Sequence, residues 1–497
     1  MRNLVFFADG TWNNSDNPAR LTNVCLLSNM CPKEGERDSE QLATYQEGVG
    51  TTGLVVSRIT GGAFANGLDD NIIEAYCWLA TNYRPSDRIF LFGFSRGAYT
   101  VRSLVGMINR AGFLDLSSDD FDNDKKKALA KIAFSKYRDR GRDDARLKGV
   151  PRHPRPNIHF LGCWDTVGAL GVPDDVTVIR RLFRPGKYTF NDTTLSDNVL
   201  IARHAVAIDE QRRAYAPTLW DEPDDAEERD LKQVWFSGVH SNVGGGYETR
   251  DLSDITLKWM IDEATSAGLI LSSAHDVVVN PIALGKLEDS RSGFFGKLKS
   301  RPRSVPSFRG ADGARRFSAE ALTRQSSDTG YWVTNTLSPG ESISLEISSK
   351  EHWNSTKLFL EKGGRYRFSA NGQWSDAKVD CGPGGVAESE RQLGHKVGDL
   401  WSRFERRAGG NAPEPSTYSP ARRYLEADWF ALVGVIANGA GVDQAKNEIN
   451  EHETFLIGDG MEMDVKKAGY LYCYANDAWK FYFNNSGSIT LTVERIS

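Results

Sequence analysis

Apolar residues follow two different rhythms along this chain. In the N-terminal half, short unbroken apolar runs alternate with longer stretches of helical spacing. Residues 3–8 form a short apolar run that ends in the turn-like DGTWNN, which reads as a strand and a turn. Residues 68–83 place Leu68, Ile72, Ile73, Tyr76, Leu79 and Ala80 at helical spacing, and Pro85 and Ser86 close that helix. Residues 88–94 predict a buried strand. From Arg96 to Arg110, residues Ala98, Val101, Leu104, Val105 and Ile108 share one helical face. A basic amphipathic helix is predicted over 126–139, a buried strand over 157–163, a helix over 199–209, a strand over 232–237 and a helix over 253–266. Apolar strands alternating with amphipathic helices imply βαβ units around a parallel sheet.

The rhythm changes from about residue 286. The stretch RSGFFGKLKSRPRSVPSFRGADGARR is basic and broken by Pro and Gly. It is read, over 291–337, as a loop-rich connector between a catalytic domain at 1–290 and a β-sandwich at 338–497. The sandwich rests on short strand-like runs, ESISLEI, KLFLEKGGRYRFSANGQW, WFALVGVI, ETFLIG, GYLYCYAN and SITLTVERI, separated by Gly, Asn or Asp turns. An insertion at about 386–420 starts helical and ends in Pro/Ser-rich loop. The expected fold is therefore α/β, an α/β-hydrolase-like parallel sheet followed by a C-terminal β-sandwich.

Composition narrows the function classes. Apolar residues make up 40% and charged residues 26% of the 497, as in ordinary globular proteins. A net charge of −5 argues against a nucleic-acid partner, which calls for a basic face. No stretch is apolar enough for a membrane-spanning helix. The first apolar run ends in Asp-Gly rather than a small-residue cleavage site, so export is expected to use no cleaved leader. The cysteines Cys25, Cys31, Cys77, Cys163, Cys381 and Cys473 form no CxxC pair, which suits a reducing compartment.

Each chemically suggestive residue sits just past a predicted strand. Gly93-Phe94-Ser95-Arg96-Gly97 fits G-x-S-x-G between a strand and a helix, the setting a nucleophile elbow requires. The turn is so tight that its flanks must be Gly, and the N–H of Arg96 can then face an oxyanion. A second oxyanion donor is expected from Gly10 or Thr11 in the DGT turn. A serine nucleophile needs a base. His240 follows a strand and precedes Gly244-Gly245-Gly246, whereas His204 is read on a helix and His159 within a strand. Asp165, after NIHFLGC, is the expected orienting carboxylate, and the order Ser95, Asp165, His240 is that of α/β-hydrolases. Asp9 and Asp209 are rivals for that role; Asp209 can instead pair with Arg212 or Arg213.

These segments together resemble a family of α/β-hydrolase-like domains that includes the phospholipase effectors of bacterial type VI secretion. FADGTWN, GFSRGAYTVRSLVG, WDTVGALG, HAVAIDEQR and QVWFSGVHSNVGGGY look like its blocks in its order, over about residues 1–290. The resemblance implies hydrolysis of phospholipid acyl esters by Ser95, Asp165 and His240. It implies a phospholipid membrane surface as the place of action. As partners it implies a secretion-apparatus spike protein and an immunity protein, and as location the cytoplasm of the producing bacterium. One departure is visible: the family usually has Asp two positions after the His, where this chain has Asn242.

The tail LYCYANDAWKFYFNNSGSITLTVERI, with GQW and CGPGG upstream, is similar to the calcium-dependent galactose-binding bacterial lectin. By that likeness Asp477, the Phe481 carbonyl, Asn484 and Asn485 would hold calcium, and a carbohydrate would be a partner; the plain alternative is an Asn-Asn-Ser-Gly turn. The lectin's sugar-contacting segment has no clear match. In the connector, Phe294 and Phe295 beside Arg291, Lys297, Lys299, Arg301 and Arg303 have the composition of a contact with anionic lipid, unless the rings pack onto the core. Three readings of function stay open: a serine esterase, foremost a phospholipase; a carbohydrate- or partner-binding protein on a hydrolase scaffold; and another serine hydrolase, such as a peptidase or carbohydrate deacetylase.

Overall fold

A computed structural model of the chain describes residues 1–10, 18–32, 35–36, 40–48, 63–138, 145–168, 194–221, 229–292, 299–386, 388–390, 392–408, 420–443 and 448–497. The N-terminal half is built on a six-stranded sheet. Its strands are β1 (Asn3–Ala8), β2 (Gln41–Gln46), β3 (Arg88–Phe94), β4 (Ile158–Trp164), β5 (Val199–Ala207) and β6 (Asp230–Phe236), in the spatial order β2-β1-β3-β4-β5-β6. Every pairing is parallel. All residues of β1 are buried, because helices cover both faces of the sheet. On one face α2 (Ala63–Asn82), α3 (Arg96–Ala111) and α4 (Asn123–Arg138) pack Ile72, Leu79, Leu104 and Ala130 against Leu4, Leu91 and Leu161. On the other, α1 (Asn23–Met30), the short α5 (His240–Gly244) and α6 (Ser253–Ser266) cover Phe7, Phe92 and Phe160. The register sets Ala8 beside Gly93 and Phe94 beside Trp164. Asp9, Ser95 and Asp165 therefore leave the sheet along one edge, where open α/β sheets bind ligands.

Two elements differ from the sequence reading. Residues 199–207 form the strand β5, not a helix. Arg203 and His204 break the apolar run that marks the other buried strands, and they are satisfied from outside: Arg203 pairs with Asp230 and Glu263. The edge strand β2, QLATYQ, is half-buried and polar, so no apolar run marks it.

The C-terminal half is a sandwich of two antiparallel sheets. Its strands are β7 (Ser342–Ser348), β8 (Asn354–Leu360), β9 (Arg365–Asp376), β10 (Val379–Cys381), β11 (Leu432–Ala437), β12 (Glu453–Leu456), β13 (Gly460–Asp464), β14 (Gly469–Ala475) and β15 (Asn485–Arg495). One sheet runs β8-β14-β11-β12; the other runs β10-β9-β15-β7, with β13 also on β9. Alternating inward residues such as Tyr366, Phe368, Ile489 and Leu491 meet Leu432 and Leu471 in the shared core. The insertion supplies one helix, α8 (Leu393–Ala408), after α7 (Ala319–Ser327) of the connector.

The two halves are joined by a core of their own. Val206, Ile208 and Trp235 of the parallel sheet, Val305, Phe317 and Ala321 of the connector, and Val433, Val435, Tyr470 and Tyr472 of the sandwich pack together. Ser300 bridges Arg212 and Phe317 bridges Trp235 on the N-terminal side, and Asn335 bridges Leu358 of β8, so the described part of the connector is pinned to both neighbours. This corrects the reading of its basic residues as a lipid-facing patch. Lys299, Arg301 and Arg303 are buried and make contacts inside the protein, while Phe294, Phe295 and Lys297 lie outside the described residues. No helix of the described residues is long and apolar enough to cross a membrane.

Candidate active site

The turn at Ser95 is dictated by close backbone approach. A Cβ on Gly97 would stand 2.0 Å from the Ala8 carbonyl oxygen, and one on Gly93 would stand 2.5 Å from the Gly97 backbone. Only glycine fits either place. Between them Ser95 has φ +58° and ψ −119°, a conformation that side chains rarely adopt, and its N–H donates to the Trp164 carbonyl at 3.0 Å. Ser95 thus caps α3 and stands at the positive end of that helix.

His240 opens α5, directly after β6. Its Nδ1 is 2.6 Å from Asp165 Oδ2, and its Nε2 is 2.9 Å from Ser95 Oγ. Asp165 is an acceptor, so Nδ1 carries the proton and Nε2 is left to accept from the Ser95 hydroxyl. All three side chains are buried. Burial pushes the His240 pKa down, against the pull of Asp165 in the other direction, so the ring is neutral at neutral pH. Burial also opposes ionisation of Asp165, but the Arg303 guanidinium and then His240 outweigh it. They hold the carboxyl well below its usual range. Phe94 and Tyr215 pack on the imidazole at centroid distances of 4.6 and 4.9 Å and keep water from its faces.

Sequence reasoning missed two contributors, Arg303 and Glu210, and gave a third, Asp209, a different role. Arg303 grips Asp165 through both nitrogens, at 2.7 and 2.8 Å. Glu210 accepts from the His240 N–H at 3.2 Å and is neutralised by Arg212 at 2.7 Å, which fixes the start of the histidine loop. Asp209 does not pair with Arg212 or Arg213. It accepts from Gly238 N–H, the Tyr331 hydroxyl and Trp332 Nε1, and so ties the same loop to the connector. The block HAVAIDEQR could have hinted at the last two, since two adjacent acids beside a buried strand need partners. Nothing in a basic, Pro-rich run hints at Arg303.

The remaining candidates fall elsewhere. His204 sits on β5 with Nε2 accepting from Thr166 N–H, and burial lowers its pKa to about 3. His159 contacts the Ala267 carbonyl. Asp9 is not on the imidazole: it accepts from Thr22, Tyr45 and Gly10 N–H. That last bond, at 2.6 Å, corrects the expectation for Gly10, whose N–H is committed to its own neighbour's carboxylate. Thr11 lies outside the described residues. Arg96 is the first residue of α3, directly after Ser95, and a first-turn N–H points out of the helix end. Asn242 accepts from the Val239 and Glu288 N–H groups, both at 3.2 Å.

At the far end of the chain the tail residues gather oxygen atoms. Asp477 Oδ2, Asn484 Oδ1 and Asn485 Oδ1 are buried and have no hydrogen-bond partner. The Asn484 amide donates to Asp376 at 2.6 Å, and Asp376 also meets His395 of α8 at 2.6 Å. Burial and then the nearby Asp376 charge push Asp477 up to about 7. The Phe481 carbonyl accepts only a long bond, 3.4 Å, from Asn484 N–H. Orphaned hard oxygens beside two repelling carboxylates are a donor set that suits calcium.

Comparison with known proteins bears on residues 2–263, which match the family model described as the type VI secretion phospholipase effector Tle1-like catalytic domain. An uncharacterised protein of Saccharomyces cerevisiae, YEL023C, is 31% identical over 229 residues, 42% of this chain and 31% of that protein. The chain thus matches about a third of that relative's length. A solved structure of the Tle1 effector bound to the VgrG spike of the type 6 secretion system is 14% identical, covers 96% of this chain and 69% of its own, and has a TM-score of 0.32. A PllA-like lectin, the EclA N-terminal domain, is 16% identical over 31% of this chain and 94% of its own, with a TM-score of 0.18. The family match spans more than half of the chain and contains Ser95, Asp165 and His240, and the chain belongs to the Tle1-like family of type VI secretion phospholipase effectors.

Proposed function

We propose that the protein is a serine esterase that hydrolyses acyl esters of phospholipids through Ser95, His240 and Asp165. The observation that carries this reading is the unbroken line of hydrogen bonds from Ser95 Oγ through the imidazole to Asp165, at 2.9 and 2.6 Å. Ser95 Oγ attacks the ester carbonyl while His240 Nε2 takes its proton. The oxyanion faces the Arg96 N–H at the start of α3, and His240 then returns the proton to the departing alcohol. Water, activated by the same ring, cleaves the acyl-enzyme and restores Ser95. Asp165 fixes the tautomer and stabilises the imidazolium without taking its proton. The test is Ser95→Ala, assayed on mixed phospholipids by lipid mass spectrometry. Loss of several orders of magnitude in rate, with the fold intact, is expected. Near-normal release of fatty acid, with contaminating esterase excluded, overturns the reading.

The family match also suggests a setting. A secretion spike as partner is part of the same proposal, supported by the effector family that the chain matches; an immunity protein and action against a competitor's membrane extend the proposal. Co-purification with a spike protein from the same genome tests the first of these. In the tail, calcium would be held by Asp477, Asn484, Asn485 and the Phe481 carbonyl, where it would neutralise two carboxylates and cross-link the β14–β15 connection. Melting temperature with calcium against chelator is the measurement. A rise with calcium that Asp477→Asn removes supports the site, and identical melts refute it.

A further inference from the structure

We infer that Arg303 is a positioning residue for Asp165, delivered to the active site by the C-terminal sandwich. The inference rests on the Ser95–His240–Asp165 reading and goes beyond it, because Arg303 lies outside residues 2–263, the span the family match covers.

Both terminal nitrogens of Arg303 are doubly engaged, while its Nε is buried without a hydrogen-bond partner. Its Nη1 donates to Asp165 Oδ1 at 2.7 Å and to the Ala207 carbonyl at 2.6 Å. Its Nη2 donates to Asp165 Oδ2 at 2.8 Å and to the Tyr215 carbonyl at 2.7 Å. Asp165 Oδ1 also accepts from Ala207 N–H at 2.9 Å, and Oδ2 holds His240. Each carboxylate oxygen thus has two donors, which leaves the plane of the group no freedom to turn. A fork against a carboxylate fixes orientation in a way a single bond from His240 does not. Asp165 itself sits at φ +36°, a backbone posture that needs such restraint.

The guanidinium is set in place from the other half of the molecule. Arg301 N–H donates to Gln211, and the Arg301 side chain donates to the Gly439 and Asn450 carbonyls and approaches His452 Nδ1 at 3.3 Å. His452 Nε2 donates in turn to the Pro302 carbonyl at 2.8 Å, one residue before Arg303. Arg213 pairs with Glu451 of the same sandwich loop. Gly439, Asn450 and His452 therefore hold a strap whose tip is the Arg303–Asp165 fork.

Charge gives the inference a signature that mere stabilisation lacks. His240 faces Asp165 after β4, Glu210, Arg212 and Tyr215 after β5, and, through Asp165, Arg303 from the connector. Removing the Arg303 cation leaves the Asp165 charge uncompensated beside the ring. The protonated imidazole is then favoured, and the acid limb of kcat/KM moves to higher pH.

The experiment uses the full chain with a soluble chromogenic acyl ester and, separately, fluorophosphonate labelling of Ser95. Four variants are compared with wild type: Ser95→Ala, Arg303→Met, Arg303→Lys and His452→Gln. Arg303→Met should lower kcat by roughly ten- to a hundredfold with KM little changed, the cost of a misplaced orienting group. Its acid limb should rise by about one pH unit, in hydrolysis and labelling alike. Arg303→Lys keeps the charge and loses the fork, so kcat should fall while the acid limb stays. His452→Gln should lower kcat less than Arg303→Met does, although it touches no triad residue. Turnover by Ser95→Ala overturns the triad reading itself. With Ser95→Ala inactive, a wild-type kcat and acid limb in Arg303→Met overturn the positioning role. Should Arg303→Met fail to fold, a wild-type kcat in Arg303→Lys does so instead. Wild-type behaviour of His452→Gln overturns delivery by the sandwich.

Discussion

Two buried aspartates follow the two strands that flank β3 in one sheet, and their surroundings have opposite effects. Asp9, after β1, accepts only from neutral groups: the Gly10 N–H and the hydroxyls of Thr22 and Tyr45. Burial wins there and pushes its pKa up to about 6. Asp165, after β4, is equally buried, yet Arg303 and His240 hold it ionised. Neutral hydrogen bonds do not offset the loss of water around a charge at this sheet edge, whereas a guanidinium fork does. The aspartate that can orient an imidazole and stay charged is the one with a cation behind it.

The largest effect expected from this contrast is at Asp165. Asp165→Asn should reduce kcat by about ten-thousandfold, since the amide favours the wrong imidazole tautomer. It should also destabilise the fold by about 3–5 kcal/mol, because Arg303 is left buried without its counter-charge. The sign follows from linkage. A carboxyl whose folded pKa is depressed contributes stability above its ordinary value of 3.8 and loses it as pH falls through the folded value. Denaturant melts at neutral pH and at pH below that value check it. Equal stability of the variant and wild type at neutral pH contradicts the account.

At Asp9 the sign reverses. Its folded pKa is raised, so its contribution is fully present below the ordinary 3.8 and is lost as pH rises to about 6. Asp9→Asn, which stays neutral, should gain on wild type through that window, by up to about 3 kcal/mol above it. Paired melting curves at successive pH values would show the gap opening. A variant less stable than wild type at neutral pH would mean that Asp9 has an unrecognised cation.

Gly97→Ala probes the geometry rather than the charge. The added Cβ would meet the Ala8 carbonyl at 2.0 Å, and backbone cannot yield as a side chain can. A loss of about 1–3 kcal/mol is expected, with slower Ser95 labelling, since the elbow must open. Unchanged melting and labelling would show that β1 and α3 can part at no cost.

What the sequence disclosed follows the same divide between local and distant causes. The GFSRG elbow was legible because an apolar strand, two obligatory glycines and an amphipathic helix lie within one short stretch. His240 and Asp165 were legible for the same reason: each ends a recognisable strand. The sandwich could be read from its Gly- and Asn-bounded strands. β5 could not, because Arg203 and His204 interrupt its apolar run, and both found partners on other elements. Arg303 was hidden most deeply. A basic run broken by prolines has the composition of a solvated tether, and its burial is decided by Asp165, 138 positions earlier. The Gly10 expectation failed on a competition invisible in sequence, since the carboxylate beside it takes its N–H.

The smallest effect expected is at Asn242, and it tests whether the rule drawn from Asp9 transfers. The side chain is buried, and its oxygen accepts from the Val239 and Glu288 N–H groups at 3.2 Å. Asn242→Asp would keep both bonds and add a charge supported by neutral backbone donors alone, two positions from His240. By the behaviour of Asp9, the new carboxyl should titrate above its ordinary range. Its charged form should then cost stability at neutral pH, by about 1 kcal/mol or less, since hydrogen bonds from N–H groups favour it. A partial negative charge near the imidazole should also favour the imidazolium, so the acid limb of kcat/KM should rise, by less than in Arg303→Met. Melting curves and pH–rate profiles of the single variant read both. A variant more stable than wild type at neutral pH would show that two backbone donors suffice to hold a buried carboxylate charged here. The lesson drawn from Asp9 would then belong to its own mix of one N–H and two hydroxyls and not to neutral donors in general.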